Sequence, residues 1–479
     1  MTAPAAPNRP DALGAVVAFA LAAIYFALRP ALVLGDPDIW WHVHIGRDII
    51  SRHAVPYVDS YSYTFDGAPW IAKEWLSQVV LGGAYAVGNW NGVMLVTVFS
   101  VAAALALLYG ELSRHLNPIL CGVVVFVAGA SLTAVAIARP HIFTLPLLVL
   151  LTIQLFRAAA AEKPPPFWLL GLVVLWANLH GSFTLALVIA GFAFLDVLER
   201  NRLRDKPMLL RWVVFGILAA LATLATPYGI GLYTINFDMM AGNETMPFIT
   251  EWQPFSAQRD DLMGLCLLAA VAGLIAMRAN PGWARILFIV FALNMFLLYV
   301  RFVYVFFLIT PILVAAAAAA ANPRITARAD GRSELGRLVP TALSLVVILA
   351  FVVLAALRPF EPADRRSIKD ALAFVRDQKL EGPPVNGYNL GGVLMFNGYK
   401  TFLDGRTEQL FRGPFMEAYL DAGRPEGAEA MHRILDTYKA NWTIFPRNDY
   451  HNVHIASAPG WSKAYQDDYV IIFTRGAPQ

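Results

Sequence analysis

Residues 302–321 read FVYVFFLITPILVAAAAAAA, an uncharged stretch between Arg301 and Asn322. An α-helix crosses the hydrocarbon core of a bilayer in about 20 residues, so this run reads as a membrane span. Its alanine tract, 315–321, suits close helix packing. Similar apolar runs lie at 13–34, 91–109, 119–138, 142–160, 166–179, 182–198, 209–226, 261–277, 284–300 and 338–357, which makes about eleven spans. The composition agrees. Of 479 residues, 58% are hydrophobic and 15% charged, and the mean hydropathy is +0.54. Soluble domains run at roughly 45–50% apolar and about 25% charged. A chain this apolar could not cover its surface in water, which excludes a cytoplasmic enzyme, a secreted disulfide scaffold and a disordered segment. The net charge is +3 with no basic stripe, so no nucleic-acid partner is expected. Cys121 and Cys266 sit inside apolar runs and read as small buried hydrophobes. The first apolar run is too long for a cleavable signal peptide.

Charge asymmetry orients the chain. With the N-terminus in the cytoplasm, basic loops such as 199–211, carrying Arg200, Arg202, Arg204, Lys206 and Arg211, fall inside, as the positive-inside rule requires. An odd number of spans then sends 358–479 outside. The expected architecture is an α-helical polytopic membrane protein, placed in the bacterial inner membrane by the resemblance given below. A transmembrane domain, 1–357, is followed by a C-terminal periplasmic α/β domain, 358–479. In the latter, Ser367–Gln378 is amphipathic, with Ile368, Leu372 and Val375 on one face. Gly392–Phe396, Trp442–Phe445 and Tyr469–Phe473 read as strands, and 415–438 as helix interrupted near Gly423 and Pro425. The polar mass lies in the loops 35–90 and 227–260 and in this domain, all external.

The loop 35–90 is the first periplasmic loop, expected to carry interfacial helices, and its richest stretch is Gly35-Asp36-Pro37-Asp38-Ile39-Trp40-Trp41-His42-Val43-His44-Ile45-Gly46-Arg47-Asp48. Pro37 pushes Asp36 toward extended backbone. Residues two apart in extended chain point the same way, which would present Asp36 and Asp38 to one point outside the membrane. Such a pair can hold a divalent cation, Mg or Mn, or accept a hydroxyl proton. Asp38 equally suits the N-cap of a helix from Ile39 to about Arg52, with Asp36 solvated. Trp40 and Trp41 read either as a sugar-stacking platform or as part of the interfacial aromatic belt. His42 lies four residues after Asp38 and His44 four before Asp48, so each can pair on a helix face. No third ligand at a fixed spacing supports zinc. Trp70–Leu76 reads as an interfacial helix, with Lys73 and Glu74 facing either a cavity or solvent.

Four more ionisable residues fall at the outer ends of spans: Arg139 and His141 between the third and fourth, His180 between the fifth and sixth, Arg301 between the ninth and tenth. Charge at this depth is costly unless paired or wetted. Arginine here suits a phosphate through bidentate bonds, or snorkels to lipid headgroups. The two histidines read as ligands or as internally hydrogen-bonded structural groups. Asp404 and Arg406 flank Gly405, a turn closed by a salt bridge.

A first span, an acidic outer loop, many further spans and a terminal periplasmic domain together resemble the C-type glycosyltransferase superfamily, which includes protein mannosyltransferases, oligosaccharyltransferases and the aminoarabinose transferase of lipid A. The resemblance is concentrated in Gly35–His42, Trp176–Gly181, Tyr388–Gly392 and Leu403–Arg406. It implies an inverting transferase with a polyprenyl-phosphate sugar donor and a lipid or glycan acceptor, and maps the catalytic acid onto Asp36 or Asp38. Arg301 and Arg139 would bind the donor phosphate, with Trp41, His42, His44, Lys73, Glu74, His141 and His180 around the substrates. The chain departs from the pattern in two places: the terminal domain has no Trp-Trp-Asp motif, and the first loop no adjacent Asp-Glu pair. A protein acceptor is therefore not expected. The alternatives are a lipid-linked glycan flippase or transporter, and a membrane scaffold or sensor with a periplasmic binding domain. A flippase would carry repeated halves and midplane polar groups, neither of which the sequence shows.

Overall fold

The structure, a computed structural model, describes residues 9–240, 252–326 and 359–476 together with Val346, Leu349 and Val353. The expected span at 338–357 and part of the loop 227–260 lie outside the described residues. The chain forms two compact units. One comprises Met1–Arg29, Met94–Gly229 and Ile249–Pro359, the other Pro30–Val93, Ile230–Phe248 and Phe360–Gln479.

The first unit is helical. It contains Ala12–Ala27, the later part of Trp75–Leu112, Pro118–Leu132, Leu145–Ala160, Leu169–Leu179, Thr184–Asn201, Lys206–Ala222, Asp261–Met277, Trp283–Leu298 and Val303–Ala321. Helix starts are written locally. Asp11, Asn117 and Asp205 accept the backbone N–H of Gly14, Leu120 and Met208, and each such cap contributes about 1 kcal/mol. Pro118 and Pro207 occupy the first turn, where no N–H is needed. Four stretches among the described residues are long and apolar enough to cross a membrane: Trp75–Leu112, Pro140–Ala160, Gly181–Asn201 and Val300–Ala321. The remaining apolar helices are shorter, Ala12–Ala27 among them, because Pro30 opens a separate short helix, Pro30–Val33, instead of extending the expected run to residue 34. Large apolar side chains such as Phe126 (74% exposed) and Ile275 (72%) point outward, a surface that water would not tolerate and lipid would cover. The buried Asp196 and Arg285 pair inside the unit. Asp196, fully buried, accepts from Arg285 Nη2 at 2.9 Å, and Arg285 Nη1 donates to the Leu313 carbonyl at 3.1 Å.

The second unit joins the first loop to the terminal segment. Helix Ile39–Arg52 packs Trp40 edge-on against Trp90 at 4.6 Å and Phe396 at 5.0 Å. Trp40 is thus a core residue at 1% exposure, not part of an interfacial belt. Trp75–Leu112 begins in this unit and bends at Gly88–Asn89, where the backbone leaves helical geometry. The expected helix at Trp70–Leu76 does not form: Trp70–Ala72 is irregular, Lys73–Glu74 is a turn, and helix starts only at Trp75.

The terminal segment is α/β. Helix Ala363–Asp377 buries Ile368, Leu372 and Val375, the predicted face. Four strands, β1 Val385–Asn386, β2 Trp442–Pro446, β3 Trp461–Gln466 and β4 Val470–Arg475, form one sheet in the order β1-β2-β4-β3. β1 runs parallel to β2, whereas β4 is antiparallel to β2 and β3, with Ile444 opposite Ile472. Helices Pro414–Ala422 and Ala428–Thr437 divide near Gly423, as the sequence indicates. Gly391–Phe396, however, is a helix instead of a strand. A short apolar run buried on every side carries no period to separate the two. Gly391 and Gly392 are needed for closeness here: a side chain at 391 would strike the Leu403 carbonyl, and one at 392 would meet the Pro37 carbonyl at 2.7 Å.

Candidate active site

Asp38 immediately precedes helix Ile39–Arg52, as the N-cap reading requires, but its backbone is right-handed helical (φ −71°, ψ −19°) and its carboxylate makes no capping bond. The extended-chain alternation therefore does not relate Asp36 to Asp38. Instead Asp36 Oδ1 accepts the Asp38 backbone N–H at 2.9 Å, closing a local turn that fixes Asp38 from behind. Both carboxylates are partly exposed.

The next helical turn is buried. Trp41 is 6% exposed and lies against the His42 ring at 3.6 Å. His42 faces Gln78 Nε2 at 3.4 Å and Glu74 Oε2 at 4.0 Å. His44 sits edge-on to Tyr61 at 5.8 Å, and burial holds its pKa below the ordinary value against the opposing pull of Asp48. Asp48 accepts the Tyr61 hydroxyl at 2.7 Å and pairs with Arg52 at 2.7 Å. Lys73 and Glu74 are buried, not solvated, and Lys73 reaches Glu408 Oε2 at 2.6 Å.

The segment Leu403–Gln409 holds several parts of this loop, Asp59, Ile71 and Lys73 among them. Arg406 donates to Asp404 through Nε and Nη2, each at 2.7 Å, and to Asp59 Oδ1 at 2.5 Å, with the Tyr61 and Trp70 rings stacked nearby. The salt bridge expected across Gly405 is present and extends to a second carboxylate. Burial opposes the guanidinium charge, but Asp404 and Asp59 more than reverse that and raise its pKa. The Gln409 side chain exchanges two bonds with the Ile71 backbone, at 3.0 and 3.1 Å. Asp59, Gln78 and Glu408 carry no local motif. Only pairing with residues distant in the chain, 36 positions away for Gln78, 335 for Glu408 and 347 for Asp59, makes them visible.

In the helical unit, three inter-helix turns meet. Arg139 precedes the turn Pro140–Thr144, in which His141 Nε2 bonds the Val135 carbonyl at 2.8 Å. His180 Nδ1 contacts Ser182 Oγ at 2.8 Å, and the His141 and His180 rings lie 6.2 Å apart. Tyr304 faces His141 at 6.3 Å and hydrogen-bonds Ser182. Arg301, half-buried, stacks over Trp252 at 4.2 Å, a contact that holds the guanidinium plane while its edge stays able to donate. Asp36, Asp38, Trp41, His42, His44, Lys73 and Glu74 thus belong to one unit, and Arg139, His141, His180 and Arg301 to the other. Among the described residues, no three His, Cys, Asp or Glu side chains form a cluster able to hold a metal.

No protein-family model matches the chain, and neither does any curated protein. Among solved structures, the crystal structure of the Archaeoglobus fulgidus oligosaccharyltransferase in the apo form is similar at a TM-score of 0.51 and 13% identity, over 91% of this chain and 69% of that one. The fold of this chain is therefore similar to that of an oligosaccharyltransferase. At this identity the likeness is one of fold.

Proposed function

We propose that the chain is a membrane glycosyltransferase that moves a sugar from a polyprenyl-phosphate donor to a lipid or glycan acceptor. It would lie in the bacterial inner membrane with about eleven spans, its N-terminus cytoplasmic and its terminal segment periplasmic. The observation that carries the reading is the fold likeness to an oligosaccharyltransferase over 91% of the chain. Physics supports the location of the chemistry: a polyprenyl tail is held in lipid by about 0.8 kcal/mol per buried CH₂, so the site must come to the interface instead of extracting the donor.

In this reading the acceptor hydroxyl oxygen attacks the anomeric carbon. The bond from that carbon to the phosphate oxygen breaks, and polyprenyl phosphate leaves with the electron pair. The hydroxyl proton passes to the Asp38 carboxylate. A single displacement of this kind inverts the anomeric configuration. Arg301, with Arg139, stabilises the departing phosphate. A divalent cation, Mg or Mn, is compatible with Asp36 and Asp38 only as a two-carboxylate site completed by donor phosphates and water, because no third protein ligand is grouped with them among the described residues.

Deletion of the gene should cause a polyprenyl-linked sugar to accumulate, read by mass spectrometry of extracted lipids. An unchanged lipid profile overturns the reading. Arg301→Ala should raise the apparent KM for that accumulated donor roughly tenfold, the equivalent of one charge-assisted hydrogen bond. Unchanged donor affinity would remove Arg301 from the phosphate site.

A further inference from the structure

Gly405 lies directly against Asp38. A methyl group placed on its α-carbon would fall on Asp38 Oδ1, 2.8 Å from Asp38 Cγ and 2.7 Å from Trp41 Nε1. That indole nitrogen is buried and has no hydrogen-bond partner among the described residues. The backbone on both sides of the contact is fixed. Asp36 holds the Asp38 N–H and helix Ile39–Arg52 continues from it, while Arg406, one residue after Gly405, is locked between Asp404 and Asp59. The soft component is the Asp38 carboxylate itself, the far end of a short side chain.

We propose that Gly405 is a positioning residue for the Asp38 carboxylate: the turn Leu403–Arg406 supplies the wall that sets where this group points. The inference rests on the transferase reading, in which Asp38 receives the acceptor proton, and it assigns the terminal segment a part in the reaction. Other glycines nearby meet different neighbours. A side chain at 391 strikes backbone, so Gly391→Ala should impair folding. At 405 the nearest obstacle is the reactive group, with the Trp41 indole edge beside it and no backbone atom among the three nearest, so Gly405→Ala should fold and misplace the carboxylate.

The test uses the full chain in proteoliposomes, with lipid extract of the deletion strain as donor and membranes of that strain as acceptor. Gly405→Ala is expected to lower kcat about 100-fold, the effect of a misplacement of about 1 Å. The KM for the lipid-linked sugar and the thermal midpoint should stay near wild type, and the acid limb of the kcat–pH profile should move. In the Asp38→Asn background the same substitution should add nothing further, because both changes act on one group. Wild-type kcat with an unmoved acid limb, or a full additional loss in the Asp38→Asn background, overturns the proposal. Should Gly405→Ala fail to accumulate, Asp38→Cys with Gly405→Cys decides. Their β-carbons should fall within disulfide reach, about 3.5–4.5 Å, and absence of a crosslink under mild oxidation overturns the contact. A wild-type protein that consumes no lipid-linked sugar overturns the transferase reading instead, an outcome distinct from an active wild type with an indifferent Gly405→Ala.

Discussion

Asp38→Asn is expected to abolish sugar transfer while leaving the protein inserted and folded. The substitution keeps the volume and one acceptor oxygen but cannot take up a proton, and loss of a positioned general base lowers rate by 10²–10⁴-fold, about 3–5 kcal/mol of barrier. Nothing in the fold depends on the lost charge as a helix cap, because the Asp38 carboxylate makes no capping bond to helix Ile39–Arg52. Asp36→Asn makes the informative comparison. Asp36 accepts the Asp38 N–H at 2.9 Å, and an amide oxygen can accept the same bond. If Asp36 serves only to hold the turn, Asp36→Asn keeps most of the activity. If it shares a cation with Asp38, both variants fall together and added Mg or Mn at high concentration partly restores Asp36→Asn. The measurement is consumption of the accumulated polyprenyl-linked sugar, with thermal unfolding as the check on folding. Full transfer by Asp38→Asn would remove the catalytic role and favour a scaffold or sensor.

What the sequence made legible divides by range. Apolar runs long enough for a bilayer announced the helices, and the reading of Asp38 as an N-cap, the alternative to extended chain at Asp36–Asp38, placed the start of helix Ile39–Arg52, because these are local signals. Two local readings failed, one for want of a local signal and one because of a distant partner. Gly391–Phe396 is buried on all sides and has no period, and Trp70–Glu74 is held out of helical form by the side chain of Gln409, 338 residues away from Ile71. The motif Leu403–Arg406 stood out in the sequence, yet its partner Asp59 lies 347 residues from Arg406, and nothing near Asp59 indicates a buried pairing. Long-range polar pairing is the component that composition and periodicity do not encode. Here it ties the first loop to the terminal segment through Asp59, Ile71 and Lys73.

The second large effect is one of stability. Arg406→Met is expected to lower the thermal midpoint more than any other single substitution in this unit. Arg406 is 1% exposed and serves two carboxylates, Asp404 and Asp59, which are themselves buried. Removing one member of a buried ionic cluster leaves uncompensated charge, at a cost of about 3–5 kcal/mol, a large share of the 5–15 kcal/mol that typically holds a domain together. Arg406→Lys should recover little. One ammonium cannot reproduce a fork that meets Asp404 through Nε and Nη2 while Nη1 reaches Asp59. Lost packing against Tyr61 and Trp70 could also destabilise, and a triple variant separates the two causes. Adding Asp404→Asn and Asp59→Asn to Arg406→Met removes the stranded charges without restoring the packing, so most of the lost midpoint should return if charge is the cause. A triple variant as unstable as Arg406→Met would assign the effect to packing, and an unchanged midpoint in Arg406→Met would show that the cluster does not hold the loop. The cluster matters beyond stability because Arg406 anchors the turn that carries Gly405. Any variant that frees Arg406 should also release the wall behind Asp38, so transfer activity should fall in Arg406→Met even below its melting range.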